Sequence, residues 1–239
     1  MAGGMHFLIG ISTNNYVLLA SDKATFAYGA VLADSENDKE YRLGKKLTMM
    51  CIGEEGDVAQ FGDWTKRNIR LYAIRNGYEL CPDSAHHWIR RGIAEALRTE
   101  EHYAVDVLLG GYCTASLFQN PQILLFFERV VHGNRLPVVT FLLHEFRYDD
   151  KEGKAFLGSI DYLGNGLSSQ PYLFRGFCGR FCYAIMDREY KKDMTEAEGL
   201  ALLNKCIAEA KRRFVANLPG YKVVVIDNKG YRQLGDIKV

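Results

Sequence analysis

Residues 7–11 and 16–20 constrain this chain more than any other stretch. Phe7-Leu8-Ile9-Gly10-Ile11 and Tyr16-Val17-Leu18-Leu19-Ala20 are apolar at odd and even positions alike. A strand with one wet face alternates, so two such runs predict strands covered on both sides. Asn14-Asn15 lies between them, a pair that tolerates positive φ, and predicts a two-residue hairpin turn. The chain therefore starts inside its own core, an unusual place for an N-terminus.

The composition of the whole 239-residue chain is that of an ordinary globular protein, read as a single domain over 1–239. With 30 basic and 29 acidic residues the net charge is +1, and no basic stripe points to nucleic acid. Residues 1–4 show no charged segment followed by an apolar one, so no signal peptide is expected. No apolar run approaches the ~20 residues that span a bilayer, so no membrane is expected as a partner. The six cysteines, Cys51, Cys81, Cys113, Cys178, Cys182 and Cys206, are scattered without a Cys-x-x-Cys. They read as reduced, partly buried thiols of an intracellular protein. His86-His87 lacks a Glu at metal-protease spacing and reads as a helix surface pair, so neither metal nor cofactor is expected.

Farther along, Phe26-Ala27-Tyr28-Gly29-Ala30-Val31-Leu32 is a small apolar patch, and residues 34–39 make a polar turn. Residues 46–53 predict a buried strand. A helix follows, with Val58, Phe61, Ile69 and Tyr72 on one face and Asn76-Gly77 as its stop. A second helix starts at Pro82 with the row Ala85, Ile89, Ile93 and Leu97. Residues 105–111 are a strand and 179–190 a helix candidate. Thr195 and Glu198 predict a capping box ahead of the row Leu200, Leu203, Ile207, Ala210 and Phe214. Residues 223–226 and 231–234 are strands around an Asp227-Asn228-Lys229-Gly230 turn. This order predicts helices stacked outside two sheets, an α+β protein.

The opening hairpin followed by Ala20-Ser21-Asp22-Lys23 resembles the start of a 20S proteasome beta subunit. Five further stretches extend the resemblance over nearly the whole chain: residues 51–61, Arg75-Asn76-Gly77-Tyr78-Glu79-Leu80, Leu109-Gly110-Gly111-Tyr112, Ile160-Asp161-Tyr162-Leu163 and Asp187-Arg188. Together they resemble the non-catalytic type at the fourth position of the eukaryotic beta ring, a type also called beta type-2 or type-4. The resemblance implies the four-layer αββα sandwich of the N-terminal nucleophile hydrolases, two antiparallel sheets between helical layers. It implies partners as well: other beta subunits in a seven-membered ring, an alpha ring and a second beta ring, in cytoplasm and nucleus. Against this pattern the chain carries an insertion of a few dozen residues within about 112–152. Two readings of that insertion stand open: an added β-hairpin, or an artefact of the gene sequence such as a translated intron. Gly110-Gly111-Tyr112 and Phe146-Arg147-Tyr148 both fit the end of the same family strand.

Active members of the family use an N-terminal Thr whose own amine accepts the proton. Here Gly4 precedes Met5 and His6, so the nucleophile position carries no hydroxyl, and no processing of the N-terminus is expected. The resemblance matches Asp22 and Lys39 to the surviving acidic and basic positions, as vestigial residues. It places Phe177 where the family has a Ser, Phe214 where it has an Asp, and Asn217 where a second Ser stands. Losing several interdependent groups together implies a subunit without chemistry of its own. Phe26, Tyr28, Val31 and Leu32 are matched to a cleft-lining segment and are expected to form a subunit contact. Two other readings stand beside this one. One is an active hydrolase using Thr13 or Ser12, although Thr13 reads as a turn residue. The other is a standalone binding protein of the same fold.

Overall fold

The computed structural model describes residues 4–27, 31–100, 102–113 and 153–238. The opening runs form β1 (Leu8–Ser12) and β2 (Tyr16–Asp22), paired antiparallel with Leu8 opposite Ser21 and Ser12 opposite Val17. β3 (Thr25–Ala27) and β4 (Val31–Asp34) form a separate two-stranded ribbon. β5 (Glu40–Arg42) leads to β6 (Leu47–Gly53), then α1 (Glu55–Asn76), α2 (Pro82–Ala96) and β7 (Val105–Cys113). β8 (Lys154–Ile160), β9 (Gly166–Leu167) and β10 (Tyr172–Arg175) precede a 3₁₀ turn (Cys178–Cys182). α3 (Tyr183–Glu189), α4 (Glu196–Arg213), β11 (Gly220–Asp227), β12 (Gly230–Gln233) and β13 (Ile237–Lys238) complete the order. One sheet runs β10-β1-β2-β11-β12, with β13 also on β11; the other runs β5-β6-β7-β8-β9.

Three apolar cores explain why the strands are apolar on both faces. Phe7, Ile9, Ile11, Leu18, Ala20, Val223 and Val225 point to one side of the first sheet, where Leu202, Leu203, Cys206, Ile207 and Ala210 of α4 cover them. Leu8, Val17, Leu19, Val224 and Ile226 point to the other side. There they meet Met50, Ile52, Leu108 and Leu157 of the second sheet. The far face of that sheet, with Met49, Cys51, Val107 and Leu109, packs on Phe61 and Ile69 of α1 and Ala85, Ile89 and Ile93 of α2. Successive strand residues thus serve different cores, which is the period of two acting inside a four-layer α+β sandwich. Gly10 lets the sheets approach: a Cβ there would lie 2.5 Å from Leu157 Cδ1 and 3.2 Å from Leu19 Cδ2.

Several local expectations hold. Glu54 caps α1 and the Gly77 N–H closes it on the Ala73 carbonyl. Thr195 and Glu198 form the capping box of α4. Others need correction. Asn14 and Asn15 do not take positive φ; among the described residues Ser169 alone of the non-glycines does. The Thr13 hydroxyl makes that turn instead, accepting the N–H of Asn15 (3.3 Å) and of Tyr16 (3.1 Å) and donating to the Tyr16 carbonyl (3.0 Å). A side-chain oxygen thus replaces the backbone acceptor of a primed turn. The 179–190 helix candidate is a 3₁₀ turn followed by α3.

Phe214 does not extend the α4 row. It sits just past the helix in extended backbone (φ −86°, ψ 141°), half-buried against the first core. His86 is not a surface residue either. Like Pro82, Ala85, Ile89 and Ile93 it lies on the inner face of α2, with Nε2 3.2 Å from the Ser159 carbonyl and its ring against Phe156. His87 is exposed. The expected insertion lies outside the described residues beyond Tyr112 and Cys113, which close β7; Tyr28 and residues 146–148 lie outside them too.

Candidate functional site

The site grows from the end of β2. Asp22 is the last residue of that strand, with no solvent exposure. Its Oδ1 accepts the Phe7 N–H at 2.8 Å and its Oδ2 accepts the Ala24 N–H at 3.1 Å. The carboxylate therefore ties the start of β1 to the chain leaving β2. Lys39 lies just ahead of β5, where its carbonyl accepts the Cys51 N–H. It is not part of a solvated turn: it is 4% exposed and points inward. Its ammonium donates to Asp22 Oδ2 at 2.6 Å, to the Asp22 carbonyl at 2.9 Å and to the Ala24 carbonyl at 2.7 Å.

A lysine ammonium has three protons to give, and Lys39 gives all of them within this short stretch of chain. Burial alone would raise the Asp22 pKa. His6 and the Lys39 ammonium outweigh it and hold the carboxyl below its ordinary value. Burial pulls Lys39 down from its ordinary value, opposed first by the Asp22 charge. The pair is a buried ion pair with its remaining lone pairs and protons satisfied, the one arrangement in which such burial is tolerated.

The other matched positions converge on the same end of β1. His6 Nδ1 is buried, lies 3.6 Å from Asp22 Oδ2 and has no hydrogen-bond partner. The Phe177 N–H reaches the Gly4 carbonyl at 3.4 Å. Gly176 makes this approach possible: its φ is +82°, and a Cβ on it would lie 2.2 Å from the His6 carbonyl oxygen. The Phe177 ring is half-exposed and lies 6.1 Å from that of Phe214 and 5.8 Å from that of Phe181. Met5, His6, Phe177 and Phe214 are thus brought together around the strand start, beside Asp22 and Lys39. Asn217 is exposed in the loop after α4.

What this constellation offers chemically is narrow. Residues 4–8 carry no hydroxyl or thiol, and the rings of Phe177 and Phe214 neither donate nor accept a proton. Thr13 sits at the opposite end of β2 with its proton already on the Tyr16 carbonyl. A cleft of about 280 Å³ opens at that far end, lined by Asn15, Tyr16, Thr195 and Glu196 among others, and not over Asp22.

The profile of the proteasome subunit family matches residues 6–121 and 128–226. The chain belongs to the proteasome subunit family. Among curated relatives it is 70% identical to a proteasome subunit beta type-2 of Caenorhabditis elegans, over 98% of this chain and 99% of that one. It is 32% identical to a proteasome subunit beta type-4 of Saccharomyces cerevisiae, over 98% and 99% of the two chains. A proteasome subunit beta type-2-B of Arabidopsis thaliana is 27% identical over 97% and 96%. These relatives place the chain among the eukaryotic 20S beta subunits, and the αββα layering is that of the N-terminal nucleophile hydrolase fold.

Within that family frame, sequence reasoning missed the convergence of His6 on Asp22. A buried imidazole next to an acidic strand end leaves no periodic trace. The signal available was position: His6 abuts the strand whose partner ends in Asp22.

Proposed function

We propose that this chain is a non-catalytic beta subunit of the 20S core particle, acting in ATP- and ubiquitin-dependent protein degradation by building the beta ring and the chamber wall. The observation that carries the reading is Lys39. All three of its protons are committed to Asp22 and Ala24, and the neighbouring strand start holds Met5 and His6 in place of a nucleophile. A lysine that helps catalysis must turn part of its field or a proton toward the reacting hydroxyl. Here Lys39 has no proton left to turn, and residues 4–8 carry no hydroxyl. The reading includes assembly with other beta subunits in a seven-membered ring, with an alpha ring and with a second beta ring, in cytoplasm and nucleus.

The ribbon after Asp22 supports a contact role. Val31 is 60% and Leu32 46% exposed, whereas Phe26 packs on the first core. Two exposed aliphatic side chains on a short ribbon suit burial against a neighbour. Tyr28, the fourth residue of the proposed contact, lies outside the described residues.

The test uses particles purified through a tag on this chain and treated with a peptide epoxyketone, which bonds to an N-terminal threonine. Mass spectrometry should find the probe on other subunits and none on this chain, at a native mass of a complete core particle. A covalent adduct on this chain, or a tagged chain that runs as a monomer, overturns the proposal.

A further inference from the structure

The cysteines are not equivalent. Cys51 and Cys206 are fully buried, and burial pushes the Cys51 thiol up. Cys182 is buried as well and hands its proton to the Cys206 carbonyl. Such thiols are shielded and inert. Cys81 and Cys113 are only half-buried.

The fold sets these two side by side. Cys81 is the N-cap residue of α2, immediately before Pro82. Pro82 packs on β7 at Gly111, where a Cβ would lie 2.6 Å from Pro82 Cγ. Cys113 follows Gly111 by two residues on the same strand, so it projects from the same face, next to the start of α2. Each thiol is the leading influence on the other's ionisation, and Ser84 Oγ contacts Cys81 Sγ at 3.2 Å. We propose that Cys81 and Cys113 are a redox-responsive dithiol at which a peroxide installs an intrachain disulfide joining the start of α2 to the end of β7.

The roles within the pair are asymmetric. The Cys113 thiol beside Cys81, with the Ser84 contacts, outweighs burial and lowers the Cys81 pKa to about 6. The Cys113 thiol is raised, chiefly by Cys81. A helix N-terminus favours the same thiolate. Cys81 is therefore the attacking sulfur: its thiolate bonds to one peroxide oxygen, the O–O bond breaks, and the departing hydroxide takes up a proton. Cys81 is then a sulfenic acid. The Cys113 sulfur attacks it, the S–S bond forms, the S–O bond breaks and the oxygen leaves as water. Two thiols and one peroxide give one disulfide and two waters, and an added dithiol reverses the change.

The test is made on the full-length chain with hydrogen peroxide at pH 7. Peptide mapping should recover a Cys81–Cys113 linked pair that dithiothreitol abolishes. Alkylation after peroxide should find Cys81 consumed on the order of tenfold faster than Cys51, Cys182 or Cys206. Ser is a favoured residue at a helix N-cap, so Cys81→Ser should fold; in it Cys113 should stay unreactive. In Cys113→Ser, Cys81 should stop at a sulfenic acid that dimedone traps. The proposal fails if Cys81 links to another cysteine, if Cys113 in Cys81→Ser reacts as fast as in the parent chain, or if Cys113→Ser gives no dimedone adduct.

Discussion

Lys39 Nζ lies 2.6 Å from Asp22 Oδ2, and neither side chain reaches bulk water. Removing one partner strands the other as an uncompensated buried charge, at a cost of about 3–5 kcal/mol. Asp22→Asn and Lys39→Met should each lower the unfolding free energy by that amount, read as a fall in the urea midpoint at unchanged slope. The double variant should lose less than the sum of the singles, because the second change removes the stranded group. Additive losses would mean that the two residues do not act as a pair.

The same carboxylate predicts an acid limb. Its folded pKa is depressed, so its contribution is complete above its unfolded value of about 3.9 and is lost as pH falls below that toward the folded value. His86 adds a limb at higher pH. Burial lowers its pKa, so the folded state disfavours the proton, and stability should decline as pH falls below the unfolded value of about 6.5. Denaturation midpoints measured from pH 8 to 4 in the parent chain and in His86→Gln should diverge below about pH 6.5. Parallel curves would contradict the burial of a neutral imidazole.

Restoring a nucleophile should not restore activity. Consider a leader ending in Gly and removed after synthesis, with Thr replacing His6 as the first residue. The new hydroxyl would meet Asp22 and Lys39 with their hydrogen bonds already assigned, and Phe177 and Phe214 in place of a hydroxyl and a carboxylate. Missing members of a catalytic unit cost on the order of 10³-fold or more, and not additively. Peptide hydrolysis assignable to this chain, with its neighbours' active sites inactivated, should stay at background. Turnover above background, or epoxyketone labelling of that Thr, would refute the alignment of the two phenylalanines.

Val31→Asp combined with Leu32→Asp should separate assembly from folding. Both side chains are exposed, and surface changes of this kind move stability by about 0.5 kcal/mol or less. Thermal unfolding of the chain should therefore be unchanged, while its incorporation into core particles, measured by native gel, should fall. Normal incorporation removes the contact role from this ribbon. Phe26→Ala serves as the contrast, since Phe26 packs on the first core and its loss should lower the unfolding midpoint directly.

Thr13→Val should cost about 1–3 kcal/mol, because the buried N–H of Tyr16 and the part-buried N–H of Asn15 lose their acceptor. Thr13→Ser keeps the oxygen and should be near neutral. Equal urea midpoints for the two variants would show that the hydroxyl does not hold the turn.

The parts of the fold legible in the chain are those written in local pattern. The two-sided apolar runs of β1 and β2, the α1 stop at Gly77 and the α4 capping box each carry their own signal within a few residues. β10 does not: Tyr172–Arg175 is a strand because β1 pairs with it from the far end of the chain. β5, β9 and β13 are two or three residues long and exist through their partners. His86 was misplaced because its neighbour His87 suggested a surface pair, although its spacing from Pro82 and Ile89 puts it inside. At the site, only the family resemblance linked Asp22 to Lys39. They stand seventeen positions apart across turn and ribbon, and no periodicity joins an acidic strand end to a lysine in a polar run.

The layering has a consequence for how the first sheet finds its alignment. In a strand with one wet face, a slip of one residue turns polar groups inward, and water enforces the register. β1 and β2 have no wet face, so a slip would exchange one oily side chain for another and solvent would scarcely notice. What a slip cannot survive is bulk. Displacing Gly10 would drive an isoleucine into the space now filled by Leu157 and Leu19. Alignment at the centre of this protein is therefore enforced by an absent side chain, and a single methyl group at position 10 should disturb it more than a charge placed on any outer helix.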